Sequence, residues 1–146
     1  MKRVSIILAT AAALVPAAIS QGASAPRPTR VKVAHRAVGS ILVTRGGFTL
    51  YVFTRDGRNR DRCRGLSGCP GIWPALKTRV RPVAGHGVRS KLLSTIKLGG
   101  ARQVTYAGHP LYMYVGDSGP GDTSYVGASQ FGGHWYAINA AGRVVK

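Results

Sequence analysis

Val43-Thr44-Arg45-Gly46-Gly47-Phe48-Thr49-Leu50-Tyr51-Val52-Phe53-Thr54-Arg55-Asp56 and Val104-Thr105-Tyr106-Ala107-Gly108-His109-Pro110-Leu111-Tyr112-Met113-Tyr114-Val115-Gly116-Asp117 are two copies of one pattern, sixty-one positions apart. Each is followed five residues later by a further aspartate, Asp61 and Asp122, so all four acidic residues of the chain belong to the repeated pattern. Seven of the nineteen positions from 43 to 61 are identical at that offset, and Trp73 and Trp135 extend the correspondence at sixty-two. Self-similarity at a fixed spacing marks a duplicated unit whose copies bury their apolar faces against each other.

Inside each copy the residues alternate. Leu50 and Val52 fall on one face of an extended strand and Tyr51 and Phe53 on the other; Leu111 and Met113 oppose Tyr112 and Tyr114 in the same way. Both faces are apolar, which predicts strands covered on two sides. Residues 40–44, a turn at Gly46-Gly47 and residues 50–54 read as a hairpin, and residues 103–106, 107–110 and 111–115 repeat it. Residues 68–76 suggest a turn or short helix. Lys77, Arg79 and Arg81 alternate with Thr78 and Val80 as in a charged edge strand. Leu92, Leu93 and Ile96 stand at helical spacing behind Ser90, which predicts a short helix over 90–98. Residues 134–138, a turn over 139–142 and residues 143–145 form a last hairpin. Twenty glycines and eight prolines suit a turn-dense chain. The expected fold is therefore mainly β: two pseudo-repeated antiparallel hairpin units packed into one small sandwich- or barrel-like domain with one or two short helices. Repeat one is expected over about 38–98 and repeat two over about 99–146.

At the N-terminus Lys2 and Arg3 precede an apolar run over 4–19, interrupted by Pro16, and small residues through Ala25. This is the order of a secretory signal peptide over 1–25, cleaved between about 20 and 25. The run is shorter than the about 20 residues a membrane span requires, so no transmembrane segment is expected after its removal. Residues 26–37, basic and carrying two prolines, read as a flexible arm. Without Lys2 and Arg3, nineteen basic residues face four acidic ones, a formal charge of +15. Such an excess repels itself unless an anionic partner or counter-ions screen it. Anionic cell-envelope polymers or lipid head groups are the expected partners of a protein taken to be a monomer. Solubility outside the cell is the competing explanation of the charge.

Cys63 and Cys69 are the only cysteines. In an exported chain they predict one disulfide, holding an arginine- and glycine-rich loop that lacks a core of its own. Arg58, Arg60, Arg62 and Arg64, with Lys77, Arg79 and Arg81, are the candidate anion-binding residues. No fold signature for sequence-specific nucleic-acid binding accompanies them. His109, Met113 and His134 are weak candidates for a metal, and residues 117–123 offer too few carboxylates for a good calcium loop. No cofactor is expected. Asp56 and Asp117 suggest either a glycosidase-like pair or, the favoured reading, turn-closing carboxylates. Tyr51 and Tyr112 read as core aromatics with tied hydroxyls rather than ligand-stacking rings. Because positions five apart on a strand face opposite ways, a Tyr51–Asp56 or Tyr112–Asp117 contact would require the chain to turn between them.

The doubled Tyr-x4-Asp motif (Tyr51 to Asp56, Tyr112 to Asp117), Cys63 and Cys69 ahead of Trp73-Pro74, the stretch from Gln103 to Tyr112, and Pro120-Gly121-Asp122-Thr123 together resemble the bacterial secreted-repeat family of predicted lipoproteins. The likeness runs over about 38–142. It implies an exported, envelope-associated protein of no established biochemical role. Two departures stand out. The lipid-bearing cysteine of many relatives is missing, which predicts secretion without a lipid anchor, and the cysteines are further apart than is usual. The combined expectation is a non-enzymatic envelope protein, with a metal or redox accessory role and an Asp-based hydrolase as alternatives.

Overall fold

A computed structural model describes residues 25–146; the expected signal peptide lies outside them but for Ala25. Among the described residues the strands are β1 (Arg30–Arg36), β2 (Gly39–Thr44), β3 (Tyr51–Phe53), β4 (Lys77–Thr78), β5 (Val83–Ala84), β6 (Leu93–Leu98), β7 (Ala101–Tyr106), β8 (His109–Pro110), β9 (Ala128–Gln130), β10 (Gly133–Ile138) and β11 (Val144–Val145). One helix, α1 (Cys69–Ile72), opens on Pro70, whose missing N–H costs nothing in a first turn. Three open sheets result, ordered β2-β1-β5, β11-β10-β3 with β9 on β10, and β4-β7-β6 with β8 on β7. The fold is mainly β as expected, and of the two forms anticipated it is not a closed barrel.

The repeat motif lies where these sheets meet. The Tyr51 N–H donates to the Tyr112 carbonyl at 2.9 Å, and the Tyr112 N–H donates back at 3.0 Å. Each tyrosine thus pairs with its own counterpart, and a pseudo-two-fold axis passes between them. On one side β3 pairs with β10, Phe53 opposite Trp135. On the other, residues 111–115 pair with residues 72–76: Leu76 donates to Leu111, Met113 to Pro74 and Val115 to Ile72. The four segments make an antiparallel ribbon. In it the motif strand of each repeat is zipped onto the tryptophan segment of the other.

The alternation read from the sequence holds on both central strands. Leu50, Val52 and Leu111 join Val31, Leu42, Leu76, Val104 and Ile138 in one core, with Met113 packed against it. Tyr51, Phe53, Tyr112, Trp73 and Trp135 form a second, aromatic core with the disulfide. Sheets β2-β1-β5 and β4-β7-β6 supply most of the aliphatic cover. Ile72 of α1 and loop residues such as Leu66, Tyr125 and Phe131 cover the aromatic face.

Each repeat enters its central strand through a turn that needs glycine. Gly47 has φ +91° and Gly108 φ +85°, a region where a side chain is strained. Both turns also receive the other repeat's loop: Gly121 N–H donates to the Gly47 carbonyl at 3.2 Å and Asn59 N–H to the Gly108 carbonyl at 2.7 Å.

Four expectations are corrected. Residues 30–36 of the expected arm form β1, paired with β2 from Val31 to Arg36 and in parallel with β5 at Arg30 and Val31, because Val31 and Val33 alternate with cations and find an aliphatic core. The helix expected over 90–98 is only a 3-10 turn at Ser90–Leu92; Leu93–Leu98 is β6, paired throughout with β7. The edge strand at Lys77 stops after Thr78, whose hydroxyl donates to the Val80 carbonyl at 2.6 Å and bends the chain. The hairpins predicted on either side of Gly47 and Gly108 are short: pairing runs from the turn as far as the Leu50 N–H to Leu42 and the Leu111 N–H to Val104, after which each strand leaves for the other repeat.

Candidate anion-binding site

The Tyr-x4-Asp motif is satisfied crosswise. The Tyr51 hydroxyl donates to Asp117 Oδ1 at 2.9 Å, whereas the Tyr112 hydroxyl lies 2.8 Å from both Asp56 Oδ2 and Asp61 Oδ1. No tyrosine meets the aspartate of its own motif by these bonds; strand alternation sends them apart and the two-fold arrangement brings the partner's carboxylate instead. Asp56 also accepts the Arg62 N–H at 2.8 Å and Asp61 the Arg64 N–H at 2.9 Å. Asp56 therefore holds the chain six residues on rather than closing the tight turn expected of it, and Asp117 is held by the Tyr51 hydroxyl instead of by a turn N–H. The screening arginines expected around Asp56 contribute a backbone N–H rather than a guanidinium.

Burial pushes Asp56 and Asp117 up to about 6, desolvation outweighing the hydrogen bonds that favour the charged form. It also raises the hydroxyls of Tyr51 and Tyr112, with the facing carboxylates adding to the effect. A phenol has a single proton to donate. Tyr112 can serve two carboxylates fully only when one of them is protonated and donates back. Asp122 is half-buried and drawn below the usual carboxylate range by the N–H groups of Ser118 and Ser124 and the hydroxyl of Ser118.

These bonds hold the arginine loop in place. Asp56 and Asp61 pin the N–H groups of Arg62 and Arg64, and the Cys63–Cys69 disulfide, Cα to Cα 5.4 Å, ties the loop down to the aromatic core. The side chains of Arg60, Arg62 and Arg64 consequently project from one anchored turn. With Arg55 and Lys97 they line an open cleft of about 700 Å³, in which Asp61 is the one acidic wall. Arg55 donates one guanidinium N–H to the Phe131 carbonyl at 2.8 Å, which fixes its direction.

Not all expected residues converge there. Arg58 turns away over Gly108 and, with Asp56 and His109, lines a small separate cleft of about 130 Å³. There burial and the nearby guanidinium lower the affinity of His109 for a proton. Arg79 and Arg81 meet Arg102 in a second basic cleft of about 440 Å³, and Lys77 and Arg79 meet Arg27 in a third. Arg55, Lys97 and Arg102 were missed by sequence reasoning. Arg55 sits inside the quoted motif, but nothing local to Lys97 ties it to a loop more than thirty residues earlier, nor Arg102 to Arg79 and Arg81. Both lie on neighbouring strands, directly opposite each other in register.

The weak metal candidates are dispersed. His109 stands beside Arg58, Met113 packs on the aliphatic core, and His134 stacks on Tyr136 with centroids 5.9 Å apart. Among the described residues no group of three or more His, Cys, Asp or Glu side chains gathers. Asp56 faces Tyr112 and Asp117 faces Tyr51, each tied to its own phenol.

The family model described as a secreted repeat of unknown function matches this chain twice, over residues 32–77 and 96–139. Each matched stretch supplies two of the four segments of the ribbon, and the chain belongs to that family of secreted repeats. Comparison with curated proteins and with solved structures gives no match.

Proposed function

We propose that this secreted-repeat protein is a non-enzymatic module without a lipid anchor, holding anionic polymers or anionic lipid head groups of the cell envelope on its arginine cleft. One observation carries the reading. All four carboxylates are engaged by phenols, backbone N–H groups or a serine hydroxyl, and none of those bonds comes from a guanidinium or ammonium. The cations of the cleft are thus left for an external anion. Lys97 opposite Arg102 adds to this, since like charges facing across a sheet repel and are eased by a bound anion.

The test uses polyphosphate and vesicles of equal phosphatidylcholine and phosphatidylglycerol. Affinity for both should fall steeply between low and high salt, as counter-ion release requires. At roughly 1 kcal/mol per basic side chain near an anionic surface, Arg60→Glu, Arg62→Glu and Arg64→Glu combined should weaken binding by about 100-fold or more. Binding that ignores both salt and the triple variant would overturn the proposal.

A further inference from the structure

A second cavity adjoins the arginine cleft and shares two of its walls. It is a recess of about 140 Å³ bordered by Pro70, Pro74, Ala75 and Leu98, with Asp61 and Arg64 standing on the boundary with the cleft. Its floor is Trp73, Cys63 and Tyr112, each buried. The two spaces differ in chemistry. The cleft is ringed by four guanidiniums and the Lys97 ammonium. The recess presents the faces of two prolines, an alanine and a leucine, with the aliphatic stems of Arg64 and Lys77 at its edge. An apolar cavity of about 150 Å³ is the size that takes one benzene ring.

We infer that cleft and recess together form a site for a small amphipathic anion: a phosphate or similar group on the arginines, carried by a six-carbon aromatic or short alkyl group seated between Pro70, Pro74, Ala75 and Leu98. This rests on the cleft as the anion site and deepens it by naming the ligand class. A polyanion alone gives no reason for an apolar recess opening beside the charge. A long acyl chain exceeds its volume, so the fitting occupant is a soluble molecule rather than a membrane lipid. Asp61 fixes the orientation. Its carboxylate, held by the Tyr112 hydroxyl and the Arg64 N–H, repels an anion at the boundary and leaves the apolar group as the part that passes inward.

The probes are inorganic phosphate, phenyl phosphate and phenol, titrated calorimetrically into the full exported chain with its disulfide intact. Phenyl phosphate should bind at least about tenfold more tightly than inorganic phosphate, and phenol alone far more weakly. Leu98→Trp, which fills the recess from a half-buried strand end, should abolish the phenyl advantage while inorganic phosphate and vesicle binding stay unchanged. Ala75→Leu is the second filler should Leu98→Trp fail to fold. Equal affinity for phenyl phosphate and inorganic phosphate would overturn the inference and leave the cleft standing. Vesicle binding lost on filling the recess would assign it to a lipid chain and overturn it equally. Absence of any phosphate binding, with polyphosphate indifferent to charge reversal of Arg60, Arg62 and Arg64, would remove cleft and recess together.

Discussion

The exchange of partners between Tyr51 and Tyr112 decides how individual residues should respond to substitution. Crosswise bonding predicts energetic coupling between residues sixty-six positions apart and none within a motif. A double-mutant cycle of Tyr51→Phe with Asp117→Asn should show a coupling of about 1–2 kcal/mol, and the cycle with Asp56→Asn less than about 0.5 kcal/mol, in chemical denaturation. Tyr51→Phe should be the costlier tyrosine substitution, because it leaves the Asp117 carboxyl without a hydrogen-bond donor, whereas Asp56 and Asp61 keep the N–H groups of Arg62 and Arg64 when Tyr112 is replaced. The raised carboxyls set a pH dependence with a definite sign. Asp56 and Asp117 stand at about 6 when folded against 3.8 unperturbed, so folding favours their protonated forms. Their contribution to stability is fully present below about 4 and is lost as pH rises through about 6. Asp122 works in the opposite sense: its folded value is depressed, so its contribution persists above the unperturbed value and disappears in strong acid. Self-repulsion of the basic chain changes with pH as well, so the informative quantity is a difference. Melting temperatures of the native chain and Asp117→Asn, followed from pH 4 to pH 7.5, should diverge, the variant losing less stability as pH rises.

Among the elements, the stacked tryptophans carry an asymmetry that the repeat does not share. Trp73 and Trp135 lie face to face, centroids 4.0 Å apart and planes 1° from parallel, flanked by Tyr114 on Trp73 at 4.3 Å and Phe53 on Trp135 at 4.2 Å. Trp73 Nε1 donates to Gln130 Oε1 at 2.7 Å, but Trp135 Nε1 is buried without a partner. Repeat one offers no amide at the equivalent place: sixty-one and sixty-two positions before Gln130 stand Cys69 and Gly68. Trp73→Phe should therefore destabilise the fold by about 1–2 kcal/mol more than Trp135→Phe, because only the first leaves a new unpaired acceptor. Reducing the disulfide, which closes a short loop, should cost about 2 kcal/mol and loosen the arginine loop with it. The central strands were legible because a two-residue period with apolar residues on both faces admits few other readings. β6 was not: Leu92, Leu93 and Ile96 fit three- and four-residue spacing, yet the exposed Ser94 and Lys97 suit a strand equally, and pairing with β7 decided it. β1 was overlooked although Val31 and Val33 alternate with Arg30 and Lys32; two prolines and a basic composition outweighed a period that was present. The cleft was half visible. Arg60, Arg62 and Arg64 are neighbours in sequence, whereas Lys97 joins them only through a strand whose existence was misjudged.

For the molecule as a whole, the ribbon makes each half depend on the other for its hydrogen-bonded neighbour. Residues 25–98 and 99–146 produced as separate chains should each be unfolded, and mixing them should restore the near-ultraviolet circular dichroism of the stacked tryptophans. A half that folds alone would contradict the pairing of β3 with β10. The backbone exchange between Tyr51 and Tyr112 has a historical corollary. A residue facing its own counterpart is the hallmark of an isologous contact, the kind that joins two identical subunits. A forebear possessing one copy of the motif would have met the same bonding demands only as a homodimer, with its tyrosine straddling the symmetry axis. Fusion of two such genes would turn that association into a covalent one independent of concentration. It would also free the copies to differ, as they do in this chain, where the cystine and the arginines of residues 58–64 belong to one of them alone.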